Sequence, residues 1–129
     1  MSNAAQRTLV MYVIDEATDE VAATVRESVR LSRELHLWQG PPPSFFDGTP
    51  DGSPRTVGAG LTIEGTLPDA DKPGVIRLLE HVAVVAETQR VCFEIQLDGT
   101  PLGLMAPEGL QPWVADTLRG ELGLGVAND

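Results

Sequence analysis

An Asp-Gly pair, Asp98-Gly99, sits between two runs of alternating apolar residues in "VCFEIQLDGTPLGLM", and it constrains this chain more than any other feature. A two-residue turn of this kind wants positive φ at both positions, so the flanking runs are expected to form a β-hairpin. Pairing Leu97 with Thr100 sets Ile95 opposite Leu102 and Phe93 opposite Leu104. All four then share one face, and the register buries the apolar side of both strands at once. The same register puts Pro101 opposite Gln96 with its missing N–H directed away from the partner. That makes the last strand an edge of its sheet.

Upstream, "RTLVMYVI" (Arg7 to Ile14) is a continuous apolar run, partly β-branched and too short for a buried helix. It reads as a strand covered on both faces and central in its sheet. "DEATDE" follows, with Thr18 or Asp19 as the N-cap of a helix and acids at the positive end of its dipole. From Val21 to about Leu37 the spacing is helical, with Val21, Val25, Val29, Leu31 and Leu35 in one arc. Arg26, Arg30 and Arg33 form a stripe beside it. Val57 to Leu67 alternates as an amphipathic strand, with Val57, Ala59, Leu61 and Ile63 on the apolar side. In "PDADKPG" an aspartate caps a helix from about Pro73 to Thr88, whose apolar half holds Val75, Leu78, Leu79, Val82, Val85 and Ala86. "PEGLQPWVADTLRGELG" reads as a short last helix with Trp113, Leu118 and Leu122 facing inward.

The order β-α-β-α-β-β-α predicts an α+β fold. The expected form is a two-layer sandwich, a mixed four-stranded sheet with helices mainly on one face. The other face would show Gly58, Gly60, Thr62, Glu64, Cys92, Glu94, Gln96 and Met105. The 129 residues are the size of one domain. Residues 1–6 are expected to be flexible or foreign to the fold, because Ser2-Asn3-Ala4 resembles an expression-vector remnant.

The stretch from 39 to 56 reads as a long loop rich in proline and glycine, following Trp38 and carrying Phe45 and Phe46. A loop of that length without structure of its own is uncommon in a compact domain. Each phenylalanine left in water would cost about 2 kcal/mol. Two outcomes follow. The rings fold back over the sheet's open face or the end of the first helix near Trp38, or they form a hook for a partner or a second copy.

Function is constrained mainly by exclusion. Formal charge is −10, from 19 acidic against 9 basic residues, which opposes nucleic-acid binding and an anionic membrane surface but permits a basic protein partner. No apolar run approaches a membrane span. A single cysteine, Cys92, rules out an internal disulfide and fits a cytoplasmic protein. Eight arginines to one lysine fit a G+C-rich bacterial genome. His36 and His81 have no cysteine, acid or second histidine at ligand spacing, so neither a metal site nor a cofactor is expected. "DGTPDG" (Asp47 to Gly52) copies the first half of a calcium loop, but Gly58 stands where its bidentate glutamate belongs.

The preferred expectation is a small acidic, non-catalytic protein-interaction domain, partner-binding or inhibitor-like, or self-associating as a homodimer. Its contacts would be Trp38, Phe45, Phe46, Leu102, Leu104 and Met105, on the aromatic loop and the edge strand. The alternative is a small-molecule-binding protein or enzyme with a pocket between that loop and the sheet. Candidate ligand residues there are Asp15, Glu16, Asp19 and His36, with Arg26, Arg30 and Arg33 able to grip an anion.

Overall fold

The computed structural model describes residues 6–49 and 51–125. The strands are β1 (Gln6–Val13), β2 (Ser44–Gly48), β3 (Thr56–Glu64), β4 (Phe93–Leu97), β5 (Thr100–Ala106) and β6 (Gly109–Leu110). The helices are α1 (Asp19–Glu34), α2 (Lys72–Gln89), entered through a short 3-10 turn at Asp69–Asp71, and α3 (Pro112–Leu122). The strands make one open sheet in the order β2-β3-β1-β4-β5-β6, with every neighbouring pair antiparallel.

The α+β class holds; the mixed four-stranded sheet does not. Both helical crossovers do join strands of like direction, but each skips a place that an opposed strand fills. β1 and β2 run the same way with β3 between them, and β3 and β4 run the same way with β1 between them. No two parallel strands touch.

β1 is central, as expected, though it is not covered on both faces. Leu9, Met11 and Val13 are buried, whereas the residues of the opposite parity, Thr8, Val10 and Tyr12, are only half-buried. The same parity governs Val57, Ala59, Leu61 and Ile63 on β3 and Phe93, Ile95 and Leu97 on β4. These side chains join the buried sides of α1, α2 and α3 in a single core. The helices therefore cover one side of the sheet, and the opposite parity is left without a helical layer.

Several local expectations shift. Thr18 is the N-cap of α1, its hydroxyl accepting from the Val21 N–H at 3.2 Å. The helix stops at Glu34, so Leu35 and Leu37 lie outside it at 56% and 93% exposure, and Leu31 is half-buried. Ala22 and Ser32 take the buried places instead. On α3, Val114 and Ala115 are buried while Trp113 is 56% exposed, because the helix begins at Pro112 and sets its phase from there. Gln6, assigned to the flexible start, opens β1. The Ser2-Asn3-Ala4 reading lies outside the described residues.

The Asp98-Gly99 turn has φ of 55° and 82°, and Leu97↔Thr100 and Gln96↔Pro101 pair as expected. A bulge then shifts the register so that Ile95 meets Gly103 and Phe93 meets Met105. Gly103 accommodates it with φ of 151°. The shift turns Met105 into the core at 2% exposure, correcting its expected place on the open face, and leaves Leu104 on that face opposite Glu94. β5 is an edge only in its first half. Beyond it, β6 pairs with Met105 and Ala106, and Gln111 closes on Leu104 through its backbone N–H and its side-chain carbonyl.

Candidate functional site

The aromatic stretch is a strand where a loop was expected. β2 pairs with β3, and the alternation of the strand sends its two phenylalanines to opposite sides. Phe45 lies opposite Ala59, packs against the core, and has the Arg26 guanidinium 5.1 Å from its ring centre. Phe46 lies opposite Gly58 on the helix-free face. Its ring sits where a Cβ on Gly58 would be, 2.7 Å from Phe46 Cζ, and the same Cβ would meet the Met11 carbonyl oxygen at 2.2 Å. Only glycine lets the strands and the ring approach so closely there.

Register then defines a row across the open face: Phe46, Gly58, Tyr12, Glu94, Leu104. Val10 and Gln96 stand in the next row, and Ile14, 47% exposed, lies beyond Tyr12 at the end of β1. The polar centre of the row is organised. The Tyr12 hydroxyl donates to Glu94 Oε2 at 2.6 Å, and Gln96 Nε2 donates to the same oxygen at 2.6 Å. These bonds hold the Glu94 carboxyl below its usual pKa range, Tyr12 contributing more than Gln96; the bond to Glu94, and then burial, raise the Tyr12 phenol above its own range against a small opposing effect of Gln96. No cation contributes to the Glu94 shift. Glu94 Oε1 has no partner among the described residues.

A second polar cluster closes the other end of the segment. Asp71, buried to 2% of its side chain, accepts from the Gln39 and Gly40 N–H groups at 2.9 and 2.8 Å and lies 3.1 Å from His36 Nε2. It caps no helix with its side chain, contrary to expectation, because those donors occupy it. Burial pushes the Asp71 carboxyl up, but the two backbone donors and then His36 outweigh it, and the pKa falls below the ordinary carboxylate range. The His36 ring packs on Gly74 and meets Trp38 edge-on at 4.6 Å, and Trp38 Nε1 donates to the Ser32 carbonyl at 2.9 Å. Trp38 and His36 thus fasten the segment down.

A recess of about 80 Å³ lies between Trp38, Gly40 and Pro41 on this segment and Leu61 to Glu64 on β3. The small-molecule alternative called for a pocket in this place. Its volume is well below the roughly 300–1,000 Å³ of ligand pockets, whereas a wider, open hollow of about 460 Å³ lies further along the same segment, beside Phe46, Asp47, Gly48, Thr49 and Thr56.

The other candidate residues do not converge. Asp15 accepts from the Cys92 N–H, Asp19 pairs with Arg55 at 2.8 Å, and Glu16 is exposed. Arg30 is held by Glu27 and Glu34, Arg33 donates to the Pro43 carbonyl at 2.9 Å, and Arg26 covers Phe45, so the stripe forms no common grip. Asp47, the first letter of the calcium-like run, binds Arg55 through both oxygens. Burial, then Asp15 and Glu108, pushes the Cys92 thiol up. Among the described residues no group of three or more His, Cys, Asp or Glu side chains is placed to hold a metal ion, and no helix is long and apolar enough to cross a membrane.

Of the expected contact residues, Phe46 and Leu104 share the open face, whereas Trp38, Phe45 and Leu102 pack against the core and Met105 is within it. Val10, Tyr12 and Ile14 were missed as face residues. The signal was their even-numbered alternation in β1, masked because every residue from Leu9 to Ile14 is apolar or a tyrosine. No family model, curated protein or solved structure matches this chain.

Proposed function

We propose that the protein is a non-catalytic interaction domain that receives a basic protein partner on the helix-free face of its sheet. The observation that carries this reading is the Phe46–Gly58–Tyr12–Glu94–Leu104 row, where apolar side chains at both ends flank a fixed carboxylate. An apolar patch with a polar centre on a sheet side that no helix covers is the anatomy of a docking surface. The formal charge of −10 supports a basic occupant over a second copy, since two such chains repel one another while a cationic protein is steered in.

Site-specific photo-crosslinking in the native cell tests the reading. Benzoylphenylalanine placed at Phe46 or Leu104 is expected to trap a discrete basic protein. The same group at Glu80, exposed on α2, is expected to trap none. Equal adducts from all three positions, or none from the sheet, would count against it.

A further inference from the structure

We infer that Glu94 is the receptor for an arginine side chain of the partner, its guanidinium seated over Tyr12 between Phe46 and Leu104. This rests on the docking reading and specifies the chemistry at its centre. Both donors to Glu94 fall on one oxygen, Oε2, so the carboxylate is oriented before anything binds, with Oε1 left as a free acceptor. Tyr12 donates its hydroxyl hydrogen bond to Glu94 and keeps lone pairs on its oxygen; among the described residues the only further bond to that oxygen is a long one, 3.5 Å, from Gln96. Oε1 and the phenol oxygen therefore offer two neighbouring acceptors.

A guanidinium suits this pair because it is a planar fork of N–H donors that also stacks on aromatic rings; an ammonium supplies a point charge only. Among the described residues no cation pairs with Glu94. Arg7 is tied to Asp98 and Glu121, Arg55 to Asp47 and Asp19, and Arg26 to Phe45. Glu94 is thus a half-buried anion without an ion-pair partner among the described residues, and an arriving guanidinium supplies the counter-charge. Surrounding apolar side chains lower the local dielectric, and a charge-assisted bond there is stronger than on an open surface.

The test is a titration of the isotope-labelled full chain, followed by amide NMR, with N-acetyl-arginine methylamide as probe. Saturable shifts are expected at Tyr12, Glu94, Gln96 and Leu104. The lysine analogue should bind more weakly, and the isosteric neutral citrulline analogue and the Glu94→Gln variant should give no saturable shift. The spectrum of Glu94→Gln itself reports whether that variant is folded, and Tyr12→Phe, which removes the second acceptor, should weaken the arginine probe about tenfold. Shifts confined to Asp15, Glu16 and Glu20, or equal affinity in wild type and Glu94→Gln, would overturn the assignment. If crosslinks from Phe46 and Leu104 persist unchanged in Glu94→Gln, the arginine inference fails while the docking reading stands. If crosslinks are lost from both sheet positions in the wild type, the docking reading fails and the inference falls with it.

Discussion

Asp71 is the residue on which the course of the chain after α1 turns. A carboxylate with 2% of its side chain exposed is tolerated because two backbone N–H groups and an imidazole compensate it. Asp71→Asn keeps the volume but turns an NH2 group toward donors that need an acceptor, and a cost of about 2–3 kcal/mol follows. The pH dependence has a definite sign. A carboxyl whose folded pKa lies below its unfolded value stabilises the native state above the unfolded pKa, and that contribution is lost as pH falls through the folded one. Urea midpoints for wild type and Asp71→Asn should therefore differ most near pH 7 and converge below about pH 4. A gap that persists unchanged into acid would show that the variant's defect is steric.

At the scale of elements, β2 divides one aromatic pair between two tasks. Phe45 belongs to the core side, beneath Arg26, and Phe46 to the open face, over Gly58. Phe45→Ser should lower stability by about 2 kcal/mol, from the apolar area returned to water and the gap left under α1. Phe46→Ser should change the urea midpoint little while removing the crosslink acceptor surface beside Tyr12. Comparable destabilisation by both changes would mean that neither ring is set aside for a partner. The strands and helices with strict periodicity were legible in the sequence: the apolar sets of β3 and α2 and the turn at Asp98-Gly99 are where their patterns put them. β2 was not legible, because Pro41-Pro42-Pro43 and the glycines around Phe45 and Phe46 mask a strand of five residues whose stability comes from pairing with β3. The bulge in β5 was hidden for a related reason. Its cause is local backbone geometry at Gly103, and an alternation pattern contains no mark of where it slips. Missing these two features misplaced Met105 and concealed the row that joins Phe46, through Tyr12 and Glu94, to Leu104.

For the whole molecule, charge decides between two opposed effects of salt. The described cations are largely committed: Arg7, Arg30, Arg55, Lys72 and Arg119 sit in ion pairs, mostly with exposed acids. Such pairs each contribute about 0–1 kcal/mol and lose part of it when screened. The acidic surplus, −10 overall, repels itself across the molecule, and at low ionic strength the Debye length of about 30 Å spans the fold. Many weak repulsions act together over that distance, while the favourable pairs are few and local. Raising NaCl from about 10 mM to about 150 mM shortens the screening length to about 8 Å and should raise the thermal midpoint by a few degrees. The same change should slow capture of a basic partner, because long-range attraction is screened along with repulsion. Stability and association would then move in opposite directions with salt, which calorimetry and stopped-flow binding can measure on one preparation once the crosslinked partner is in hand. A midpoint that falls with added NaCl would show that the local ion pairs, led by Arg7 with Asp98 and Glu121 and by Arg55 with Asp47 and Asp19, outweigh the repulsion of the surplus acids.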